Sequence, residues 1–89
     1  MQDVTIYTRI LCGYCSAAKR LLKEKGAKFE EINATLNRKL RDEMQERAGG
    51  RQTFPQIFVG DRHIGGCDEL YELDRQGKLD PLLHGEAVS

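Results

Sequence analysis

The sequence predicts an α/β fold, a four-stranded mixed sheet with helices on both faces. Short β-branched runs alternate with stretches of helical period in the order β-α-β-α-β-β-α, and glycines stand where several of these segments end. A β-α-β unit crosses over right-handed, so the first two strands should be parallel, whereas a hairpin makes the last two antiparallel. The 89 residues suffice for one core, and we take 1–89 as a single domain.

The first half of the chain predicts two strands and two helices. Val4 to Thr8 is a β-branched and aromatic run, typical of a strand. A helical face follows, made of Cys15, Ala18, Leu21 and Leu22. This helix should end at Gly26, and a second strand is expected around Phe29 and Ile32. Apolar residues every four positions then predict a helix that ends at Gly49-Gly50; they are Leu36, Leu40, Met44 and Ala48.

The second half predicts a hairpin and a last helix. Two short runs, 56–59 and 62–64, flank Gly60-Asp61, which is typical of a tight turn between antiparallel strands. The pair Gly65-Gly66 should open a helix that runs from Cys67 to about Gln76. The leucines around Pro81 predict a short terminal turn or helix.

The composition excludes several classes of function. Lys plus Arg equal Asp plus Glu at 14 each, so no basic field calls for nucleic acid or an anionic membrane. No apolar run approaches the roughly 20 residues of a membrane helix. A strand is expected within the first few residues, so we expect no leader segment. Three cysteines do not suit a secreted disulfide framework. We therefore expect a soluble cytoplasmic protein.

The segment Cys12-Gly13-Tyr14-Cys15 lies between the first strand and the first helix. The helix N-terminus directs partial positive charge at the Cys12 sulfur, which favours the thiolate, and only the thiolate attacks a disulfide. Cys12 should therefore be an exposed nucleophile. Cys15, one turn deeper on the apolar face, suits a resolving thiol. The two thiols together are expected to form a redox couple.

Two other roles for the cysteine pair are weaker. A permanent structural disulfide that closes so short a loop would restrain little of the unfolded chain. A zinc site needs a second pair of ligands, and neither Cys67 with His63 nor His84 has a suitable spacing, so we expect no metal. Both histidines are expected to be solvated.

Two further segments can converge on the cysteine pair. In Thr53-Phe54-Pro55 the residues alone favour an ordinary trans proline before a strand. In Gly65-Gly66-Cys67-Asp68 the bland interpretation is a first-turn acid that complements the helix dipole. The functional alternative is a binding site for a ligand carboxylate, formed by backbone amides that the side-chain-free glycines leave accessible. Asp68 would then accept a hydrogen bond from the ammonium group of the same ligand. A carboxylate and an amine on one carbon describe an amino-acid terminus.

Taken together, these segments resemble the glutaredoxin family, specifically its small bacterial dithiol members, and the resemblance covers nearly the whole chain. It implies a thioredoxin-like fold and a glutathione-dependent disulfide oxidoreductase. The motifs that carry it are Cys12-x-Tyr14-Cys15, Thr53-x-Pro55-Gln56-Ile57-Phe58 and Ile64-Gly65-Gly66-Cys67-Asp68. The implied partners are glutathione, as co-substrate, and glutathionylated or disulfide-containing proteins, acted on by a monomer.

The resemblance also implies the roles of residues near the cysteines. Cys12 would form the mixed disulfide with glutathione. Pro55 would be cis and face the cysteines, and the Phe54 backbone, next to Thr53, would pair with the cysteinyl unit as an added strand. Tyr14 would line the groove.

The remaining roles concern the two ends of glutathione. Backbone amides at Cys67 and Asp68, beside Gly66, would hold the γ-glutamyl carboxylate, and the Asp68 side chain would meet the amine. Arg9 and Arg41 would meet the glycine carboxylate.

Three positions depart from the family pattern. Gly13 replaces the usual motif proline and adds an amide near Cys12. Phe54 replaces a valine, and Arg9 a lysine, which keeps the charge. Some glutaredoxins without the proline hold an iron–sulfur cluster between two subunits, and Gly13 is consistent with that alternative. Cys67 is either a buried apolar filler or a third reactive thiol.

A thioredoxin proper fits less well. That family has a tryptophan before its cysteine pair and a proline within it, and this chain has Leu11 and Gly13 there.

Overall fold

The computed structural model describes residues 2–85. The elements are β1 (Val4–Thr8), α1 (Gly13–Glu24), β2 (Phe29–Asn33), α2 (Arg38–Arg47), β3 (Gln56–Val59), β4 (Arg62–Gly65), α3 (Cys67–Arg75) and α4 (Leu79–Leu83). They form one four-stranded sheet in the order β2-β1-β3-β4. The predicted element order and mixed sheet are confirmed.

Strand β1 lies inside the sheet and sets its mixed character. It runs parallel to β2, with Val4 opposite Phe29, and antiparallel to β3, with Ile6 opposite Ile57. Strands β3 and β4 form the predicted antiparallel hairpin, and its register shifts between Ile57 and Phe58.

The alternation of side chains along the strands separates two apolar clusters. Val4 and Ile6 point to the face that packs against α1, α3 and α4, where Leu22 and Leu70 are fully buried. Tyr7 and Phe58 point to the other face and pack against Met44 of α2; the two rings meet edge-on, with centroids 5.8 Å apart. Helices therefore cover both faces, as the sequence predicted.

Helix α2 begins later than the apolar spacing indicated. Asn37 caps it, accepting a hydrogen bond from the Leu40 amide at 3.0 Å. Leu36 lies outside the helix with a φ of 57° and is 95% exposed. Its assignment to the buried face of α2 is wrong, because the helix begins only after the N-cap Asn37, one residue beyond Leu36.

The smaller expectations about element ends hold within two residues. Gly26 follows α1 with a φ of 71°, the left-handed conformation expected just after a helix. Strand β4 extends to Gly65, and α3 ends at Arg75. No helix within residues 2–85 has the length and apolarity that crossing a bilayer requires.

The position of Leu36 can be tested by a pair of truncations. Met44→Ala should lower the free energy of unfolding by about 2–5 kcal/mol, because it opens a cavity under α2. Leu36→Ala should change it by less than about 0.5 kcal/mol, since the side chain is exposed. Urea denaturation of both variants measures the difference. Equal losses would place Leu36 in the core after all.

Candidate active site

The cysteine pair sits at the junction of β1 and α1. Cys12 is the N-cap of α1 in extended conformation, and its sulfur accepts a hydrogen bond from the Cys15 amide at 3.2 Å. The two sulfurs are joined in a disulfide, with the Cα atoms 5.2 Å apart. Cys15 is buried at 2% exposure, whereas Cys12 is half-buried. Cys12 is thus the more accessible sulfur, although it is not fully exposed as the sequence suggested.

The charge around Cys12 favours its thiolate when the pair is reduced. The first amides of α1 have no partner within the helix, and the first turn carries no acidic side chain. Partial positive charge therefore faces the sulfur without an opposing carboxylate. This arrangement suits a nucleophile and a leaving group in disulfide exchange.

The segment before β3 faces the cysteines. The Phe54–Pro55 peptide bond is cis, as the resemblance implied and contrary to the trans default. The Phe54 carbonyl oxygen lies 4.0 Å from Cys12 Sγ, and the Pro55 side chain is fully buried.

A buried amide ties this segment to β4. The Gln56 side chain is fully buried, and its Nε2 donates to the Thr53 carbonyl at 2.9 Å and to Thr53 Oγ1 at 3.1 Å. Its Oε1 lies 2.7 Å from His63 Nε2, and the His63 ring packs on Phe58 with centroids 5.0 Å apart. The expectation that His63 is solvated is wrong. Its half-buried ring supports the loop that carries Phe54.

An ion pair that the sequence did not predict joins Glu69, at the start of α3, to Arg51 in the segment between α2 and β3. Glu69 Oε1 accepts hydrogen bonds from the Gly66 amide and from Arg51, both at 2.7 Å. The hydrogen bond from the Gly66 amide, and to a smaller extent the one from Arg51, holds the pKa of Glu69 below its usual range. A glutamate three residues after a helix N-cap was the available signal. Gly66 itself is closely approached, because a Cβ there would lie 3.3 Å from the Pro55 carbonyl oxygen.

One open cavity of about 180 Å³ brings most of the predicted site residues together. Arg51 and Glu69 also line it. The predicted residues in its wall are Tyr14, Thr53, Phe54, Pro55, Gly66, Cys67 and Asp68. Arg9 and Arg41 line a neighbouring groove of about 200 Å³ that shares Phe54 with the cavity. The guanidinium carbon of Arg9 lies 6.0 Å from the centre of the Phe54 ring.

Cys67 is buried at 8% exposure at the start of α3. Burial, followed by the charges of Asp68 and Glu69, raises the pKa of its thiol. A thiol held protonated is a poor nucleophile, which agrees with the filler interpretation. Across residues 2–85, no three His, Cys, Asp or Glu side chains come together as a metal-binding group.

Comparisons with known proteins agree on one family. The glutaredoxin family model matches residues 4–64. Glutaredoxin 3 of Escherichia coli K12 is 53% identical over 83 residues, covering 93% of this chain and 99% of that protein. The solution structure of glutaredoxin from Brucella melitensis is similar with a TM-score of 0.83 and 57% identity, covering 99% of this chain and 96% of that one. A buckwheat glutaredoxin–glutathione complex is similar with a TM-score of 0.85 and 32% identity, covering 94% and 78%.

The buried setting of His63 predicts a pH dependence of stability. Burial first, and then the positive charge of Arg51, lowers the pKa of His63 from its ordinary value of 6.5, whereas Glu69 opposes the shift. The unfolded chain therefore takes up this proton first as the pH falls. Stability should decline from about pH 6.5 down through the lowered folded value. The carboxyls of Glu31 and Glu69, whose pKa values are also lowered, should add their loss only below 4.5.

Urea denaturation across this pH range measures the effect. His63→Asn should flatten the decline between pH 6.5 and 4.5. His84→Asn, which removes the exposed histidine after α4, is the matched control and should keep the wild-type slope. An unchanged slope in His63→Asn would contradict the role of burial.

Proposed function

This chain belongs to the glutaredoxin family and is a glutathione-dependent thiol–disulfide oxidoreductase, and from that premise we propose that glutathione binds in the cavity beside Cys12. One observation carries the proposal. The half-buried Cys12 sulfur caps α1 and lies 4.0 Å from the carbonyl oxygen of Phe54, a residue that lines a cavity with hydrogen-bonding groups. A buckwheat relative is described as a complex with glutathione.

We assign the γ-glutamyl end of glutathione to the start of α3. The Gly66 amide is already bonded to Glu69, which leaves the amides of Cys67 and Asp68 to hold the carboxylate. The exposed Asp68 carboxylate lies in the cavity wall, where it can accept a hydrogen bond from the amine. Arg51 pairs with Glu69 and so reduces its repulsion of a bound carboxylate.

We assign the rest of glutathione to the loop before β3 and the neighbouring groove. The cysteinyl unit would pair with the Phe54 backbone as an added strand, with Thr53, Pro55 and Tyr14 shaping its walls. The glycine carboxylate would meet Arg9 and Arg41, because their groove shares Phe54 with the cavity.

The chemistry follows from the positions of the two thiols. The Cys12 thiolate attacks the glutathionyl sulfur of a mixed disulfide, and the substrate protein leaves as its thiol. A second glutathione then attacks the Cys12–glutathione bond, releasing glutathione disulfide and restoring the Cys12 thiol. For a protein disulfide, Cys15 resolves the intermediate by displacing the substrate from Cys12.

The setting of this activity is also part of the proposal. The substrates are glutathionylated and disulfide-containing proteins, and the chain acts as a single-domain monomer. The compartment is the cytoplasm, since turnover requires a pool of reduced glutathione.

The division of labour between the thiols gives the deciding experiment. Cys12→Ser should abolish both deglutathionylation and reduction of protein disulfides, because it removes the attacking sulfur. Cys15→Ser should keep deglutathionylation and lose protein-disulfide reduction, which needs a second thiol. Coupled assays with glutathione reductase measure both activities. Deglutathionylation that survives in Cys12→Ser would overturn the assignment.

The γ-glutamyl assignment can be tested by removing one charge. Asp68→Ala should raise the KM for glutathione by up to about fivefold, the size expected for an exposed charged contact. Glu24→Ala is the matched control, because it removes an exposed carboxylate at the far end of α1. Reduction of a small uncharged disulfide by a dithiol reductant should stay unchanged in both variants. A loss on that substrate as well would mean that Asp68 supports the thiolate or the fold instead.

A further inference from the structure

Four large apolar side chains in residues 2–85 are exposed, and each lies within two residues of Cys12 in the chain or lines the groove that contains Arg9 and Arg41. Tyr14 belongs to the cavity already described. The other three, which we call the apolar rim, are Ile10 at 58% exposure, Leu11 at 96% and Leu36 at 95%. Leu11 directly precedes Cys12, and Ile10 and Leu36 border the groove that contains Arg9 and Arg41. Scattered surface apolar residues are ordinary, but exposed apolar residues grouped at one groove beside a reactive cysteine indicate an interaction surface.

The backbone at the two leucines supports a role outside the fold. They are the two non-glycine residues within 2–85 that have positive φ, 55° at Leu11 and 57° at Leu36. An L residue with a Cβ is disfavoured in this left-handed conformation, where glycine or asparagine is more at ease. Neither leucine packs into the core, so neither position requires leucine for stability.

The groove beside the rim has the size and charge for part of a polypeptide. Its volume of about 200 Å³ exceeds the roughly 150 Å³ that accommodates benzene in an engineered cavity, so it can take one apolar side chain. Within residues 2–85 neither Arg9 nor Arg41 forms an ion pair. Two free guanidinium groups beside an apolar wall match an acidic residue close to an apolar one.

Glutathione does not account for the rim. Its γ-glutamyl, cysteinyl and glycyl units carry no large apolar side chain, and its contacts in the proposed function use Phe54 and the arginines. We propose that Ile10, Leu11 and Leu36 dock the polypeptide around a substrate disulfide, and that they select substrates with an apolar and an acidic residue beside the reacting cysteine. This inference rests on the proposed function.

The docked step balances without glutathione. The Cys12 thiolate attacks one sulfur of the substrate disulfide, forms a mixed disulfide and releases the first substrate thiolate. The Cys15 thiolate then attacks Cys12 Sγ, closes the Cys12–Cys15 disulfide and releases the second. Two electrons pass from the protein to the substrate, and the protons that Cys12 and Cys15 lost to water on forming thiolates are replaced by protons that the released substrate thiolates take up from water. The substrate segment leaves before glutathione enters the same groove.

The test uses the reduced full chain in a single turnover, without glutathione. One probe peptide carries an intramolecular disulfide flanked by leucine and aspartate. Three matched peptides carry serine for the leucine, asparagine for the aspartate, or both. The variant is the double substitution Leu11→Asn with Leu36→Asn, since asparagine tolerates positive φ and the fold should be kept. Circular dichroism and thermal melting verify that it is folded.

Wild type should reduce the leucine–aspartate peptide about tenfold faster than the serine–asparagine peptide. The preference for aspartate should weaken as salt is raised, because exposed charges are screened. The double variant should lose the preference for leucine. It should also keep wild-type deglutathionylation of a small thiol bound to glutathione.

Two results would overturn the inference. Equal rates for all four peptides in wild type would show that the rim selects nothing. Sedimentation that reveals a wild-type dimer, absent in the double variant, would show that a second copy of this chain covers the rim. Wild type that failed to deglutathionylate would contradict the proposed function itself, whereas intact deglutathionylation with equal peptide rates removes this inference alone.

Discussion

The hydrogen bond from the Cys15 amide to Cys12 Sγ joins the fold of α1 to the chemistry of the site. A helix N-cap is ordinarily an oxygen of Ser, Thr, Asp or Asn, and here a sulfur takes that place. A thiolate accepts such a bond better than the uncharged sulfur of a disulfide does, so reduction to the Cys12 thiolate strengthens the cap. Because Cys15, Ala18 and Leu22 are buried against the sheet, the start of α1 cannot move away from the end of β1. The nucleophile is therefore positioned by the core.

The sheet topology explains why three distant segments meet at this sulfur. Strand β1 ends near the start of β3, since Tyr7 lies opposite Gln56 in an antiparallel pair. Strand β4 ends at the same end of the sheet, because Gly65 lies opposite Ile57 near the start of β3. Three segments must then meet at this end of the sheet: the loop after β1, the loop before β3 and the start of α3. The antiparallel placement of β3 is the constraint from which the cavity follows.

Much of this arrangement could be predicted from local signals. The strands and helices could be predicted from the periodicity of their apolar residues and from the glycines at their ends. Cys12 and Cys15 could be predicted from their Cys-x-x-Cys spacing. The cis Phe54–Pro55 bond could not be obtained from the residues, where trans is the default, and came only from the family resemblance. Leu36 continued the helical spacing, but α2 begins after the N-cap Asn37, so Leu36 lies outside the helix.

Contacts between distant segments were harder to predict. The bond between Arg51 and Glu69 joins positions 18 residues apart, and only the capping role of Glu69 left a trace in the sequence. At Gly13 a Cβ would meet no atom within 4 Å beyond its chain neighbours and the backbone of its own helix, and nothing in the structure explains glycine there.

The contact between Gln56 and His63 assigns a proton that the sequence could not. The Thr53 carbonyl can only accept, so the Gln56 amide must turn its NH₂ group towards Thr53. Gln56 Oε1 then faces His63, and it is also only an acceptor, so the hydrogen between them belongs to His63 Nε2. Neutral His63 is thereby held as the Nε2–H tautomer, and each polar atom of the buried amide has a partner. Replacing Gln56 by an apolar residue would leave the Thr53 carbonyl and the imidazole N–H without these partners. The cost would fall on the loop that presents Phe54 to Cys12, which makes Gln56 a support of the site although it lines no part of the cavity.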